Sequence, residues 1–150
     1  MIAVAAGGAM RRVDALFEKY GEAHRNRTNK ALHWICVPLI TWSLLGLLWS
    51  ASPALAYACI AAAMVFYVRL SVPIAVGMLG LTAAMILPLV LLGARVLPVS
   101  IATFVLAWIG QFVGHRIEGR KPSFFEDLRF LLVGPAWLLH FVYRRAGVLY

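Results

Sequence analysis

A chain of 150 residues, 63% of them hydrophobic and 13% charged, with a mean hydropathy of +0.85, lies far from soluble domains, in which about 25% of residues are charged. The net charge of +8 does not read as nucleic-acid binding, because Lys and Arg border the apolar runs and form no patch with interleaved aromatics. They read as topology determinants and contacts to anionic membrane lipid, and the length leaves room for one membrane domain over 1–150.

Residues 1–10 are small and apolar, but Arg11-Arg12 follows that run, the reverse of a secretory signal. A disordered leader is expected there, upstream of a start at Met10. From Val13 to Tyr20, apolar residues fall at Val13, Leu16, Phe17 and Tyr20, the i, i+3, i+4, i+7 spacing of one helical face. This predicts an interfacial amphipathic helix, and residues 11–30 are read as that helix plus a polar loop. Thr28 or Asn29 is the expected N-cap of the next helix.

A helical bundle is expected over 31–143. Its apolar runs are Ala31 to Trp49, Ala51 to Val68, Leu70 to Ala94 and Val96 to Gly114, separated by Ser50, Arg69 and Arg95. Each can cross a hydrocarbon core of about 30 Å, and the prolines within them do not veto helix in a membrane bundle. The fold expected is all-α, with four full spans. A fifth run, Phe130 to Tyr143, holds 14 residues around Gly134-Pro135 and reaches only roughly 21 Å as a helix; it is expected as a re-entrant segment or a fifth helix. The basic flanks before the first span and after the fourth place both ends in the cytoplasm. Cys36 and Cys59 lie in apolar spans without metal-type spacing and read as small hydrophobes. No P-loop, dinucleotide fingerprint, nucleophile elbow or HExxH is present.

Polar chemistry is confined to two stretches, and the four histidines belong to it or lie near it: His24, His33, His115 and His140. Gln111, His115 and Glu118 recur at i, i+4, i+7 and so line one helical stripe. His24 and His33 face opposite ways in a continuous helix, so both reach one ion only if the chain breaks between them. Taken singly, each has an ordinary reading: His24 as a solvated side chain, His33 and His115 snorkelling to headgroups, Glu118 pairing with arginine, Gln111 as interhelical glue. Their convergence on one membrane face argues for a metal site. Imidazoles without a thiolate pair suit iron, zinc or copper, and a histidine and carboxylate set with open positions suits non-haem Fe(II).

Tyr20, His24, Asn29, His33 and Pro38 at their spacing, the stretch Trp108 to Pro122, and Gly134-Pro135 together resemble the family of the fungal 2-hydroxy fatty acid dioxygenase. The resemblance implies an Fe(II)-dependent enzyme of lipid α-oxidation that uses O₂ to shorten a long-chain 2-hydroxy fatty acid by one carbon. It implies His24, His33 and His115 as iron ligands, with His140 as the weakest carry-over; Glu118, on the stripe of His115, is expected as a catalytic ligand or as acceptor for an imidazole N–H. Arg25, Asn29, Gln111, Arg120 and Lys121 are the groups expected to hold the substrate head. The site is expected at the cytoplasmic face of a bacterial inner membrane, or in the endoplasmic reticulum of a eukaryote, and homo-oligomerisation is compatible with the sequence. The rival readings are a lipid-binding scaffold or transporter subunit without enzymatic activity, and a zinc-dependent lipid hydrolase.

Overall fold

The computed structural model describes residues 11–119 and 130–150. The expected leader over 1–10 lies outside the described residues, as do Arg120 and Lys121. Within them the chain is helical and contains no strand. In order come α1 (Arg12–Gly21), α2 (Arg27–Ala51), α3 (Pro53–Leu70), α4 (Val72–Leu92), a 3₁₀ turn at Gly93–Arg95, α5 (Val96–Ile117) and α6 (Val133–Ala146).

Local chemistry sets these boundaries. The Asn26 carboxamide accepts from Thr28 N at 2.8 Å and Asn29 N at 3.4 Å, so Asn26 caps α2, two to three residues earlier than expected. Ser52 caps α3 in the same way, with Pro53 in its first turn. Pro73 likewise stands at the start of α4, where its missing N–H is not needed. Three stretches are long and apolar enough to cross a membrane: Arg27–Ala51, Pro53–Leu70 and the continuous Val72–Ile117. The third holds two helices, because Gly93 at φ +53° breaks it.

The central pair is α2 against α5. A Cβ on Gly110 would meet Cys36 Sγ at 2.5 Å, one on Gly114 would meet Asn29 Oδ1 at 2.5 Å, and one on Gly46 would strike Ser100. These contacts run in opposite directions along the two helices, so α2 and α5 are antiparallel. Glycines four apart let the backbones approach, the way membrane helices associate where burial of apolar surface gives no drive. Trp42 donates its indole N–H to Met85 O at 3.2 Å and Leu89 packs beside Gly46, so α4 runs parallel to α2.

α6 does not run the length of the bundle. The Tyr67 hydroxyl near the end of α3 donates to Leu132 O at 2.8 Å, and the Tyr143 hydroxyl donates to Pro73 O at the start of α4 at 2.7 Å. Both ends of α6 are thus held at the end of the bundle where α3 finishes and α4 begins. The amphipathic face of α1, through Val13, Phe17 and Tyr20, shares a core with Val133, Ala136 and Trp137 of α6. Together α1 and α6 roof one end of the bundle.

Candidate metal centre

Under that roof three histidines meet. α1 ends at Gly21 and the chain turns through hydrogen bonds from Ala23 N to Tyr20 O and from His24 N to Gly21 O, which swings His24 over the start of α2. His33 stands in the second turn of α2 and His115 in the last turn of α5. Their ring centroids are 4.0 Å apart for His24 and His33, 5.1 Å for His33 and His115, and 5.6 Å for His24 and His115. One nitrogen from each ring lies within 4.8 Å of the others. All three are buried, with exposures of 2, 1 and 5%.

The tautomers follow from the hydrogen bonds. His24 Nδ1 lies 2.6 Å from Tyr20 O and His33 Nδ1 lies 2.9 Å from Asn29 O. A carbonyl only accepts, so each Nδ1 carries the proton and Nε2 is the ligand atom each ring can offer. An imidazole oriented through its second nitrogen is the usual arrangement of a metal-binding histidine. Tyr20 stacks on the His24 ring at 4.4 Å, and Trp137 packs against both rings, 5.3 Å from His24 and 5.2 Å from Tyr20.

The carboxylate serves a different purpose from that expected. Glu118 Oε1 accepts from Arg25 N at 2.8 Å, and Oε2 accepts from Asn26 N at 2.9 Å and from Asn29 Nδ2 at 2.9 Å. Both oxygens are engaged by N–H groups of the loop that carries His24 and of Asn29 in α2, so Glu118 is a clamp between that loop, the start of α2 and the end of α5. Burial works against the charged form, but the hydrogen bonds from Asn29, Asn26 and Arg25, with the nearby His24 ring, hold the carboxyl below the usual carboxylate range. Asn29, fully buried, donates its other amide hydrogen to Ala23 O at 3.1 Å. Its position is that of a strut for the loop, with no donor left for a substrate. Arg25 is exposed.

His140 does not join the cluster. Its Nδ1 donates to Trp137 O, and its ring stacks on Phe17 at 4.9 Å and lies 4.0 Å from Phe141. It shares the end of the bundle but packs α6 onto α1. Gln111, one turn before His115, lines a small cavity of about 20 Å³ with Tyr20, Val37, Trp108 and Pro135. The sequence reading passed over the Gly110 and Gly114 pair; its signal, two glycines four apart in an apolar run, was there to be read. The Tyr20 and Trp137 walls had no such signal, since α1 and α6 are brought together only by tertiary packing.

A helical bundle with three buried imidazoles at one end, two of them oriented by main-chain carbonyls, offers a donor set that could hold a metal ion. The chain belongs to the 2-hydroxy-palmitic acid dioxygenase Mpo1-like family, whose model matches residues 10–146. Neither the curated proteins nor the solved structures contain a match.

Proposed function

We propose that this protein is an Fe(II)-dependent dioxygenase that shortens a long-chain 2-hydroxy fatty acid by one carbon, breaking the bond between C1 and C2. The observation that carries the reading is the buried three-histidine cluster in a chain of this family. Three neutral nitrogen donors leave coordination positions open for a bidentate ligand, and a 2-hydroxy acid offers two oxygens on adjacent carbons. When bound, the iron supplies the redox capacity through which O₂ is used. The chain's own residues then bind and orient: His24, His33 and His115 hold the ion, Glu118 and Asn29 fix the loop that presents His24, and Gln111 meets the substrate head. Arg25, Arg120 and Lys121 are the basic residues proposed to pair with the substrate carboxylate.

The helices cross the membrane four times in this reading, with the site on the cytoplasmic face of a bacterial inner membrane, or of the endoplasmic reticulum in a eukaryote. Three histidines without a carboxylate also suit Zn(II), which makes a zinc-dependent lipid hydrolase the second reading. Metal analysis of protein purified without O₂ separates the two. The activity test compares product mass from paired long-chain acids with and without the 2-hydroxyl, in air and under nitrogen. The dioxygenase predicts an acid one carbon shorter, only from the hydroxylated substrate and only in air, restored after chelation by Fe(II) in preference to Zn(II). Equal turnover of both acids, or product without O₂, sinks the reading, and absence of bound metal leaves the scaffold.

A further inference from the structure

A second cavity, of about 260 Å³, lies among α2, α3, α4 and the segment entering α6, partly open to the surface with the exposed Cys59 among its lining. Its walls are apolar, with Leu45, Leu48, Ile60, Ala63, Met64 and Met85 among them. Three hydroxyls also face it, and each is spent on a main-chain carbonyl: Tyr67 on Leu132 O, Thr41 on Val37 O at 2.9 Å and Thr82 on Met78 O at 2.8 Å. A polar occupant would find no hydroxyl donor left on the wall, so the space suits an apolar one.

The cavity adjoins the small one lined by Gln111, one turn before His115, and by Tyr20, which stacks on His24. Thr41, Leu131 and Pro135 line both it and the small cavity that holds Gln111. Gln111 is 4% exposed and its carboxamide oxygen has no hydrogen-bond partner among the described residues, so the small cavity has an acceptor waiting for a donor such as a hydroxyl. Along α2 the order is His33, Val37, Thr41, Leu45, Leu48, a rise of roughly 22 Å, on the scale of a long extended acyl chain. Polar demand at one end and an apolar chamber at the other describe an amphiphile with a single tail.

We propose that this cavity receives the acyl tail of the substrate, so that chain length is measured inside the protein and not in the surrounding lipid. The proposal rests on the fatty-acid reading above for the head group alone. Its test is a long-chain 2-hydroxy fatty acid with a photoreactive diazirine at the tail, bound to the metal-loaded protein in lipid nanodiscs and mapped by peptide mass spectrometry. Adducts on Ile60, Met64 and Met85, displaced by the unlabelled acid, are the expected result. Adducts instead on the exposed residues Leu79, Leu87 and Leu91 overturn it.

A second measurement uses Ala63→Trp, which fills the chamber, beside Leu106→Trp on an exposed face of α5. In Ala63→Trp, affinity for the long-chain acid should fall about tenfold or more relative to a medium-chain acid, because the indole occupies space that only the longer tail needs. Leu106→Trp should leave the ratio alone, and an unchanged ratio in both variants contradicts the proposal. If Ala63→Trp does not fold, the adduct map on the unmodified chain decides. Labelling needs no turnover, so adducts in the chamber without O₂ consumption would keep the tail site and reject the dioxygenase, whereas turnover with lipid-facing adducts would do the opposite.

Discussion

Glu118 shows how one side chain can matter to the histidine cluster without joining it. Its two oxygens gather two main-chain N–H donors from the turn that carries His24 and the Asn29 amide from α2, so its loss releases the ligand loop and leaves the ligands themselves intact. Glu118→Gln replaces an acceptor by a donor facing those N–H groups, and metal affinity should fall about 10- to 100-fold, as for other outer partners of metal ligands; chelator competition measures it. His33→Ala and His115→Ala should lose most of the metal while the helical content stays, and full retention in both would refute the centre. The depressed carboxyl of Glu118 also has a sign. A carboxyl lowered on folding stabilises above its unfolded value and loses that contribution as pH falls through the folded one. Thermal stability of the metal-free protein should therefore drop on the acid side in the wild type, and this component of the drop should be missing in Glu118→Gln. A like acid profile in both would remove the clamp from the account. His140 has no such part, because its hydrogen bond and ring contacts belong to the joint between α1 and α6.

At the scale of elements, the metal centre depends on how closely α5 approaches α2. Gly114 Cα sits where a Cβ would meet Asn29 Oδ1 at 2.5 Å, and Asn29 holds both the loop and Glu118, so Gly114→Ala should disturb packing and site together. The expected cost is about 1–3 kcal/mol, typical of overpacking, with metal affinity falling alongside. Gly80→Ala in α4, where nothing lies within 4 Å of an added Cβ, should be neutral or stabilising by up to about 1 kcal/mol. Thermal unfolding in detergent compares the pair, and equal effects would show that the approach of α2 to α5 is not tight. The helices themselves were legible, because long apolar runs interrupted by Ser50, Arg69 and Arg95 allow little else. Their pairing was not, since uniformly apolar faces carry no label for their neighbours. The site was legible only where a residue type is rare: His24, His33 and His115 stood out against the apolar chain. Asn26 as cap and Glu118 as clamp depend on a turn whose shape no periodicity announces.

For the whole molecule, the question is how a 46-residue apolar stretch, Val72–Ile117, fits a bilayer. As one helix it would span roughly 69 Å, more than twice a hydrocarbon core of about 30 Å. Gly93 at φ +53° interrupts it, and the contacts of α5 then return along α2, from Ser100 beside Gly46 to Gly114 beside Asn29. α4 runs parallel to α2 and α5 antiparallel, so the turn at Gly93–Arg95 and the turn near Ser52 fall at one end, opposite the histidines. α6, pinned at Leu132 and Tyr143 to the ends of α3 and α4, stays at the histidine end. The basic residues of α1 and the pair Arg144-Arg145 consequently share that end, which the proposed topology, by the positive-inside rule, puts in the cytoplasm. Single cysteines at Ala94 and Leu149, in a chain freed of Cys36 and Cys59, test the arrangement with an impermeant maleimide on oriented vesicles. Ala94→Cys should react only from the outer side and Leu149→Cys only from the cytoplasmic side; reaction of both from one side would mean that Val72–Ile117 does not make two crossings, and the histidine centre would lose its membrane face.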